Sequence, residues 1–209
     1  MADFEIEKEF FEKGFRMIAG VDEVGRGALF GPVVASAVIM PPYTLRKELS
    51  EIITEIDDSK VLAPKKRKKL AGIIVKGAAS VGIGLATNLE IDQENIYWAS
   101  LSAMKRAVHN LSISPDLLLI DGFYLKELDY WQICVPQGDC RSISIAAASI
   151  VAKVIRDEMM VLLDKVYRGY ALEKNKGYGT KEHYQALKKK GPTHMHRFSF
   201  NLGEKRDGP

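Results

Sequence analysis

The chain has 209 residues, with 30 Lys and Arg against 27 Asp and Glu, and 46% of its residues are hydrophobic. These values exclude a disordered or fibrous protein and indicate one globular domain with a substantial core. Its two cysteines cannot form a disulfide framework. The acidic start is unlike a secretory signal, and the uncharged stretch between Arg26 and Arg46 contains glycines and prolines that would break a membrane helix. We therefore expect a cytoplasmic protein with no membrane partner.

The small net charge of +3 hides two strongly basic segments. Residues 59–89 carry seven Lys and Arg and no acid, and residues 174–197 carry seven against one acid, Glu182. Basic patches on an otherwise acidic chain favour a polyanionic partner, most commonly the phosphate backbone of a nucleic acid. Lysine runs alone are more often solvated helix faces, so this pattern needs support from other residues.

The first apolar segments of the chain have the pattern of β-strands. Residues 15–21, 32–40 and 79–86 are rich in β-branched or small apolar residues and are bounded by turn residues. Because these strand patterns follow one another without long helices between them, we predict an antiparallel meander.

The second half of the chain alternates between helix and strand patterns. Apolar residues predict helices over 91–111 and 144–166, and residues 180–190 predict a further amphipathic helix. Residues 115–122 and 131–135 are short and apolar, as expected of buried parallel strands. The pattern predicts an α/β fold. We expect a main domain over residues 1–169 and a small C-terminal helical extension of the same unit over 170–209.

Acidic residues stand where three of these strands leave the core. Asp22 and Glu23 end the first strand, Asp121 ends the strand over 115–122, and Asp139 follows the strand over 131–135. If these strands are neighbours, four carboxylates meet at one edge of the sheet, which is unfavourable unless a cation neutralises them. Oxygen ligands select hard ions such as Mg²⁺ or Mn²⁺, the arrangement of two-metal phosphodiester hydrolysis. Each acid taken alone is also explained as a turn or helix-cap residue.

The segment around the first two acids resembles a known family. The sequence Val21-Asp-Glu-Val-Gly-Arg-Gly27 is similar to the signature of ribonuclease HII, the type 2 ribonucleases H. Further matching segments follow in the family's order, and the resemblance covers roughly residues 15–200. They are Asp58-Ser-Lys60, Ile120-Asp-Gly122, Gly138-Asp139, Ser144 to Lys153 with Arg156-Asp157, Lys176-Gly-Tyr-Gly-Thr180, and His196-Arg197.

The resemblance implies a fold and an activity. The fold would be a ribonuclease H-like mixed sheet flanked by helices, with a small C-terminal helical region. The activity would be endonucleolytic cleavage of the RNA strand of RNA–DNA hybrids with two Mg²⁺ or Mn²⁺ ions. The resemblance also implies incision 5′ to a single ribonucleotide embedded in duplex DNA, which starts ribonucleotide excision repair and leaves 3′-hydroxyl and 5′-phosphate ends. No obligate protein partner is evident.

The resemblance further implies roles for individual residues. The family's four metal-binding carboxylates are matched by Asp22, Glu23, Asp121 and Asp139. The turn whose backbone lies against the 2′-hydroxyl at the RNA–DNA junction is matched by Gly25, Arg26 and Gly27. Glycines suit that role, since a backbone without side chains can approach a ribose closely.

Other matched positions concern the sugar and the phosphates of the substrate. Tyr178 matches the tyrosine that packs against the sugar following the ribonucleotide. Because Tyr178 lies between Gly177 and Gly179, we expect no local packing to hold its ring. Lys60 and Lys153 match positions expected to meet phosphates, with Ser149 one helical turn before Lys153.

Some alternatives remain open. Asp157 competes with Asp139 as the fourth carboxylate, but its place in the long helix beside Arg156 favours a structural ion pair. For His194 and His196 we expect a packing or phosphate role rather than a metal site. The related ribonuclease HIII type usually carries an extra N-terminal domain, which we do not expect because the signature begins at Val21. A catalytically silent nucleic-acid-binding module is disfavoured by the intact carboxylates.

Overall fold

The computed structural model describes residues 4–41 and 63–203. The strands are β1 (Ile18–Val24), β2 (Val33–Ile39), β3 (Ser80–Ala86), β4 (Leu117–Asp121) and β5 (Trp131–Val135). They form one five-stranded sheet in the order β3-β2-β1-β4-β5. β2 is antiparallel to both β1 and β3, whereas β1, β4 and β5 run parallel. The mixed sheet and the antiparallel meander of β1 to β3 are as predicted.

Helices flank this sheet, and a 3₁₀ turn over Gly138–Cys140 follows β5. The helices are α1 (Glu5–Glu12), α2 (Pro64–Gly77), α3 (Asn88–Glu94), α4 (Ile96–His109), α5 (Ile143–Val166), α6 (Leu172–Asn175) and α7 (Lys181–Lys190). Within the described part of the chain, no helix has the length and apolarity needed to cross a membrane.

Two predictions about the helices were wrong. Pro64 begins a helix, α2, as expected of a proline at a helix start, but this helix is 14 residues long, whereas the strand patterns predicted no long helix between β2 and β3. The single helix predicted over 91–111 is two helices, because Asn95 has a positive φ of 74° and interrupts it. The Asn95 side chain accepts hydrogen bonds from the backbone N–H groups of Tyr97 and Trp98, so it caps the start of α4.

The core has two layers, one on each face of the sheet. On one face α4 packs its small and apolar residues against β1 and β2, and on the other α5 packs Ala146, Ala147 and Ile150 against the sheet. A Cβ atom at Gly20 would lie 2.0 Å from the carbonyl carbon of Ser144, so the glycine lets the start of α5 approach β1. This close contact places α5 beside the carboxyl end of β1, where Asp22 lies.

The C-terminal extension packs on the main domain through a shared apolar cluster. Leu29 and Phe30 lie in this cluster with Met160 and with residues of the extension, among them Tyr170 and Leu172. The division at residue 169 stays a prediction, since both sides contribute to this core. Lys60 and residues 204–209 of the extension lie outside the described residues.

Candidate active site

The carboxyl ends of β1 and β4 bring acidic residues together. Val21 pairs with Ile120 in the parallel register, so Asp22 and Asp121 follow at neighbouring positions on the same edge. The backbone N–H of Gly138 donates to Oδ1 of Asp121 at 2.8 Å, which holds the turn carrying Asp139 next to this edge. Asp22 and Asp139 are buried, with 5% and 4% of their surface exposed. The term carboxylate edge is used below for Asp22, Glu23, Asp121 and Asp139.

Burial and mutual repulsion act on the carboxylate edge. Burial, followed by the charge of Glu23, raises the pKa of Asp22 well above its usual value, and a hydrogen bond from Ser149 opposes the shift. Burial also raises the pKa of Glu23, while the Arg26 guanidinium lowers it and Asp121 adds repulsion. The charged form of these acids is therefore unfavourable, as expected when like charges are crowded away from water.

The donor set of this edge fits a hard divalent cation, although no cage is preformed. Among residues 4–41 and 63–203, no three His, Cys, Asp or Glu side chains already form a metal-binding group. Asp22 accepts the N–H of Glu23 at 2.7 Å, and Glu23 accepts from Arg26 at 3.2 Å. Mg²⁺ commonly binds one or two carboxylates together with water and substrate phosphates rather than an all-protein cage. The four carboxylates supply such oxygen donors. A bound cation would also offset the burial and repulsion that raise the pKa values of Asp22 and Glu23.

The turn after β1 brings its two glycines into different surroundings. Gly25 has a φ of +98°, and a Cβ atom there would lie 2.1 Å from Nε of Arg156. Gly27 is exposed, and a Cβ atom there would meet nothing within 4 Å. Gly25 is thus required by the protein's own packing, whereas Gly27 leaves open surface. The guanidinium of Arg26 lies 4.6 Å from the ring centre of Phe123, which follows β4.

Two buried arginines tie this turn to the C-terminal extension. The Arg156 guanidinium donates to the carbonyls of Phe30, Pro32 and Lys176 at 3.1, 3.1 and 2.8 Å. Arg197 donates to the carbonyls of Gly31 and Arg26 at 2.9 and 2.8 Å. Both side chains are fully buried, and burial lowers the pKa of each, to about 9 for Arg197. These backbone contacts of Arg156 and Arg197 were not predicted from the sequence, and we call the pair the arginine clamp.

Tyr178 is held in place, so the prediction that no local packing fixes its ring was wrong. Its backbone forms a β-bridge with Ala28. Its ring centre lies 5.7 Å from Nζ of Lys153 and 5.4 Å from Cζ of Arg156. Lys153 and Arg156 are three residues apart on α5 and therefore reach the ring from the same helix face. The glycines on either side of Tyr178 indicate a flexible backbone in the sequence. They give no sign of Lys153 and Arg156, which contact the ring from a distant part of the chain.

The other residues predicted on α5 have protein partners. Nζ of Lys153 lies 2.7 Å from Asp157, and Arg67 approaches the same carboxylate at 3.5 Å. The structural ion pair predicted for Asp157 is therefore present, but its partners are Lys153 and Arg67 rather than the adjacent Arg156. Ser149 lies against Asp22, since its side-chain hydrogen bond lowers that carboxyl's pKa.

A pair of buried histidines supports the Tyr178 segment. The Thr193 N–H donates to Nδ1 of His196 at 2.9 Å, which leaves the proton of His196 on Nε2. That Nε2–H faces Nε2 of His183 at 3.2 Å, and Nδ1 of His183 lies 3.0 Å from the Tyr178 carbonyl. Both rings therefore fit the neutral form, and burial lowers both pKa values, to about 4 for His196. The packing role expected of His196 is confirmed, whereas His183 was not singled out.

Comparisons with known proteins identify the family of this chain. A family model described as ribonuclease HII matches residues 19–202. Ribonuclease HII of Caldanaerobacter subterraneus subsp. tengcongensis is 50% identical over 194 residues, covering 93% of this chain and 78% of that protein.

Solved structures show the same fold. RNase HII in the PCNA:RNase HII complex from Archaeoglobus fulgidus matches with a TM-score of 0.74 at 22% identity, covering 90% of this chain and 98% of that one. Bst-RNase HIII in complex with Mn²⁺ matches with a TM-score of 0.67 at 21% identity, covering 90% of this chain and 68% of that one. The chain therefore belongs to the ribonuclease HII family, whose members are hydrolases that act on RNA–DNA hybrids.

Proposed function

We propose that this protein cleaves the RNA strand of RNA–DNA hybrids and also incises duplex DNA 5′ to a single embedded ribonucleotide. The observation that carries this proposal is the joining of three features by direct contacts. The carboxylate edge contacts the turn over 25–27 through Arg26 and Glu23, and Arg156 joins that turn to Tyr178. A catalytic edge and two candidate junction-reading segments are thus held in one unit.

Asp22, Glu23, Asp121 and Asp139 are the residues that would hold two Mg²⁺ or Mn²⁺ ions. Their oxygen donors and the raised pKa values of Asp22 and Glu23 support this assignment. The Mn²⁺ in the similar Bst-RNase HIII agrees with it. Bound divalent ions supply Lewis acidity toward the phosphodiester and a water nucleophile at neutral pH.

The chain's own groups orient these carboxylates before any substrate arrives. Ser149 and the Glu23 N–H hold Asp22, and the Gly138 N–H holds Asp121. Arg26 restrains Glu23 and partly offsets the burial that raises its pKa, which favours the ionised carboxylate that a metal ion binds. Such prior orientation avoids reorganisation during the reaction, which is a major source of catalytic power.

Recognition of the ribonucleotide would come from the turn and Tyr178 together. The open surface at Gly27 lets the backbone approach a 2′-hydroxyl, the group that distinguishes RNA from DNA. The Tyr178 ring would pack on the adjacent sugar. Lys153 lies beside that ring and within reach of a neighbouring phosphate, although it also pairs with Asp157. Lys60 stays a predicted phosphate contact outside the described residues.

The test uses three duplexes in Mg²⁺: DNA with one ribonucleotide, a long RNA–DNA hybrid, and DNA alone as the control. The expected result is a single nick 5′ to the lone ribonucleotide, multiple cuts in the hybrid, and none in DNA. Mapping the ends should give a 3′-hydroxyl and a 5′-phosphate. Cleavage of the hybrid without incision at the lone ribonucleotide would indicate the ribonuclease HIII type. Binding without any cleavage would indicate a silent binding module.

A further inference from the structure

Three aromatic side chains form a surface next to the carboxylate edge that the proposed function does not use. The aromatic ledge consists of Tyr97 and Trp98 at the start of α4 and Phe123 after β4. The rings of Tyr97 and Phe123 are 5.5 Å apart, and those of Tyr97 and Trp98 are 5.0 Å apart, both edge to face. Tyr97 and Trp98 expose 41% and 51% of their surfaces. These two rings therefore contribute little to the core and present large apolar faces to solvent.

The aromatic ledge is continuous with the candidate active site. Glu23 pairs with Arg26 at 3.2 Å, and the guanidinium of Arg26 lies 4.6 Å from the ring centre of Phe123. Phe123 is therefore the end of the ledge nearest the turn over 25–27, since it contacts Arg26. Tyr97 and Trp98 extend the ledge away from the turn along the start of α4. Asn95 fixes its far end, because the Asn95 side chain accepts the N–H groups of Tyr97 and Trp98.

We propose that the aromatic ledge packs against the sugars and base edges of the minor groove beside the cleavage position. This inference rests on the proposed function, in which the turn over 25–27 meets a 2′-hydroxyl. Sugars and 2′-hydroxyls are displayed in the wide, shallow minor groove of an A-form-like duplex. A surface that continues from the turn therefore meets the same groove. Aromatic side chains can pack against the sugars and base edges displayed there without sequence preference, as cleavage at any embedded ribonucleotide requires.

The chemistry of the ledge predicts a signature that differs from a phosphate contact. None of its three side chains is charged, so its contribution to binding should not release counterions. Trp98→Ala should weaken binding without changing the slope of affinity against salt. Replacing the exposed Lys188, Lys189 and Lys190 of α7 with Ala should instead flatten that slope if they meet phosphates, by about 0.9 log unit per tenfold salt for each lost contact.

The first experiment compares Trp98→Ala with Trp131→Ala as a matched control. Trp131 is also exposed, at 74%, but lies on β5, the strand at one edge of the sheet. On duplex DNA with one ribonucleotide, Trp98→Ala should raise Kd and KM about three- to tenfold with little change in kcat. Trp131→Ala should behave like wild type. Equal effects of the two variants, or no effect of Trp98→Ala, would overturn the proposal.

A second experiment reads contact directly by fluorescence. The chain contains two tryptophans, so Trp131→Phe leaves Trp98 as the sole indole and Trp98→Phe leaves Trp131. Each variant is titrated in Mg²⁺ with the ribonucleotide-containing duplex in an Asp121→Asn background that prevents cleavage, while anisotropy of a labelled duplex reports binding. Emission should change on binding only when Trp98 is present. An unchanged Trp98 signal with a bound duplex would overturn the ledge proposal and leave the proposed function intact. Failure of wild type to bind or cleave any duplex would overturn both.

Discussion

The carboxylate edge and the arginine clamp both bury charged side chains, of opposite sign, but only the clamp compensates its charges with several backbone hydrogen bonds each. On the edge, burial and mutual repulsion raise the pKa values of Asp22 and Glu23, so the charge is held in an unfavourable form. In the clamp, Arg156 and Arg197 donate to backbone carbonyls, which offset much of the burial cost through charge-assisted hydrogen bonds. A bound cation would relieve this cost, as the proposed metal site requires. The clamp uses its charge to fix the geometry of the turn and of Tyr178.

The largest expected effect separates activity from stability on the carboxylate edge. Asp22→Asn and Asp121→Asn should each lower kcat by at least about 100-fold, because a lost ligand costs several kcal/mol at the transition state. For Asp22→Asn, the free energy of unfolding at neutral pH should be unchanged or higher, because a carboxyl whose pKa is raised by burial destabilises the fold when ionised. Turnover assays and urea unfolding measure the two quantities. Wild-type turnover in either variant would contradict the assignment of these ligands.

In the arginine clamp, by contrast, a substitution should lower the stability of the fold. Arg156→Met removes the donor for three carbonyls and should lower the free energy of unfolding by about 3 kcal/mol or more. Arg16→Met is the matched control, because the exposed Arg16 also donates to two carbonyls and should cost less than about 1 kcal/mol. Urea denaturation of both variants provides the comparison. Equal losses would show that burial of Arg156 adds nothing to its hydrogen bonds.

The histidine pair provides a pH test of the same region. The folded-state pKa of His196 is about 4 against an ordinary value of 6.5, so the unfolded chain takes up the proton first as pH falls. Stability from His196 is therefore complete above about pH 6.5 and is lost between about pH 6.5 and 4, by ~2 kcal/mol at pH 5. His196→Asn should unfold with a smaller loss from pH 7.5 to 5 than wild type. Acids with raised pKa values, such as Asp22 and Glu23, make the fold more stable as pH falls. Their effect is the same in wild type and variant, so it cancels when the two pH dependences are subtracted. His109→Asn, an exposed control, should keep the wild-type dependence.

A smaller effect is expected at Tyr178, the proposed sugar contact that Arg156 of the clamp touches. Tyr178→Ala should lower activity on a single embedded ribonucleotide about tenfold more than on a long hybrid, because the hybrid offers alternative registers. Tyr178→Phe should fall between wild type and Ala if the hydroxyl contributes. The measurement is the ratio of rates on the two substrates at fixed salt and Mg²⁺. Proportional losses on both would assign Tyr178 to general binding or folding.

The contrast between edge and clamp also explains how much could be predicted from sequence. Apolar runs mark β1 and β4, and parallel strands leave a sheet at the same edge, so the positions of Asp22 and Asp121 followed from local patterns. The partners of Arg156 could not be predicted, because Phe30 and Pro32 are 126 and 124 residues away and contribute only backbone carbonyls. The helical spacing of apolar residues likewise continues through Asn95. The break between α3 and α4 could therefore not be predicted from the apolar pattern.

The most direct test of the account is the dependence of cleavage on a divalent ion. A hybrid is incubated with wild-type protein in excess chelator, and Mg²⁺ or Mn²⁺ is then added in increasing amounts. We expect no cleavage in chelator, recovery with either ion, and no recovery in Asp121→Asn at the concentrations that restore wild type. Equal cleavage with and without chelator, or full recovery of Asp121→Asn, would contradict the claim that the carboxylate edge is a metal-dependent catalytic site.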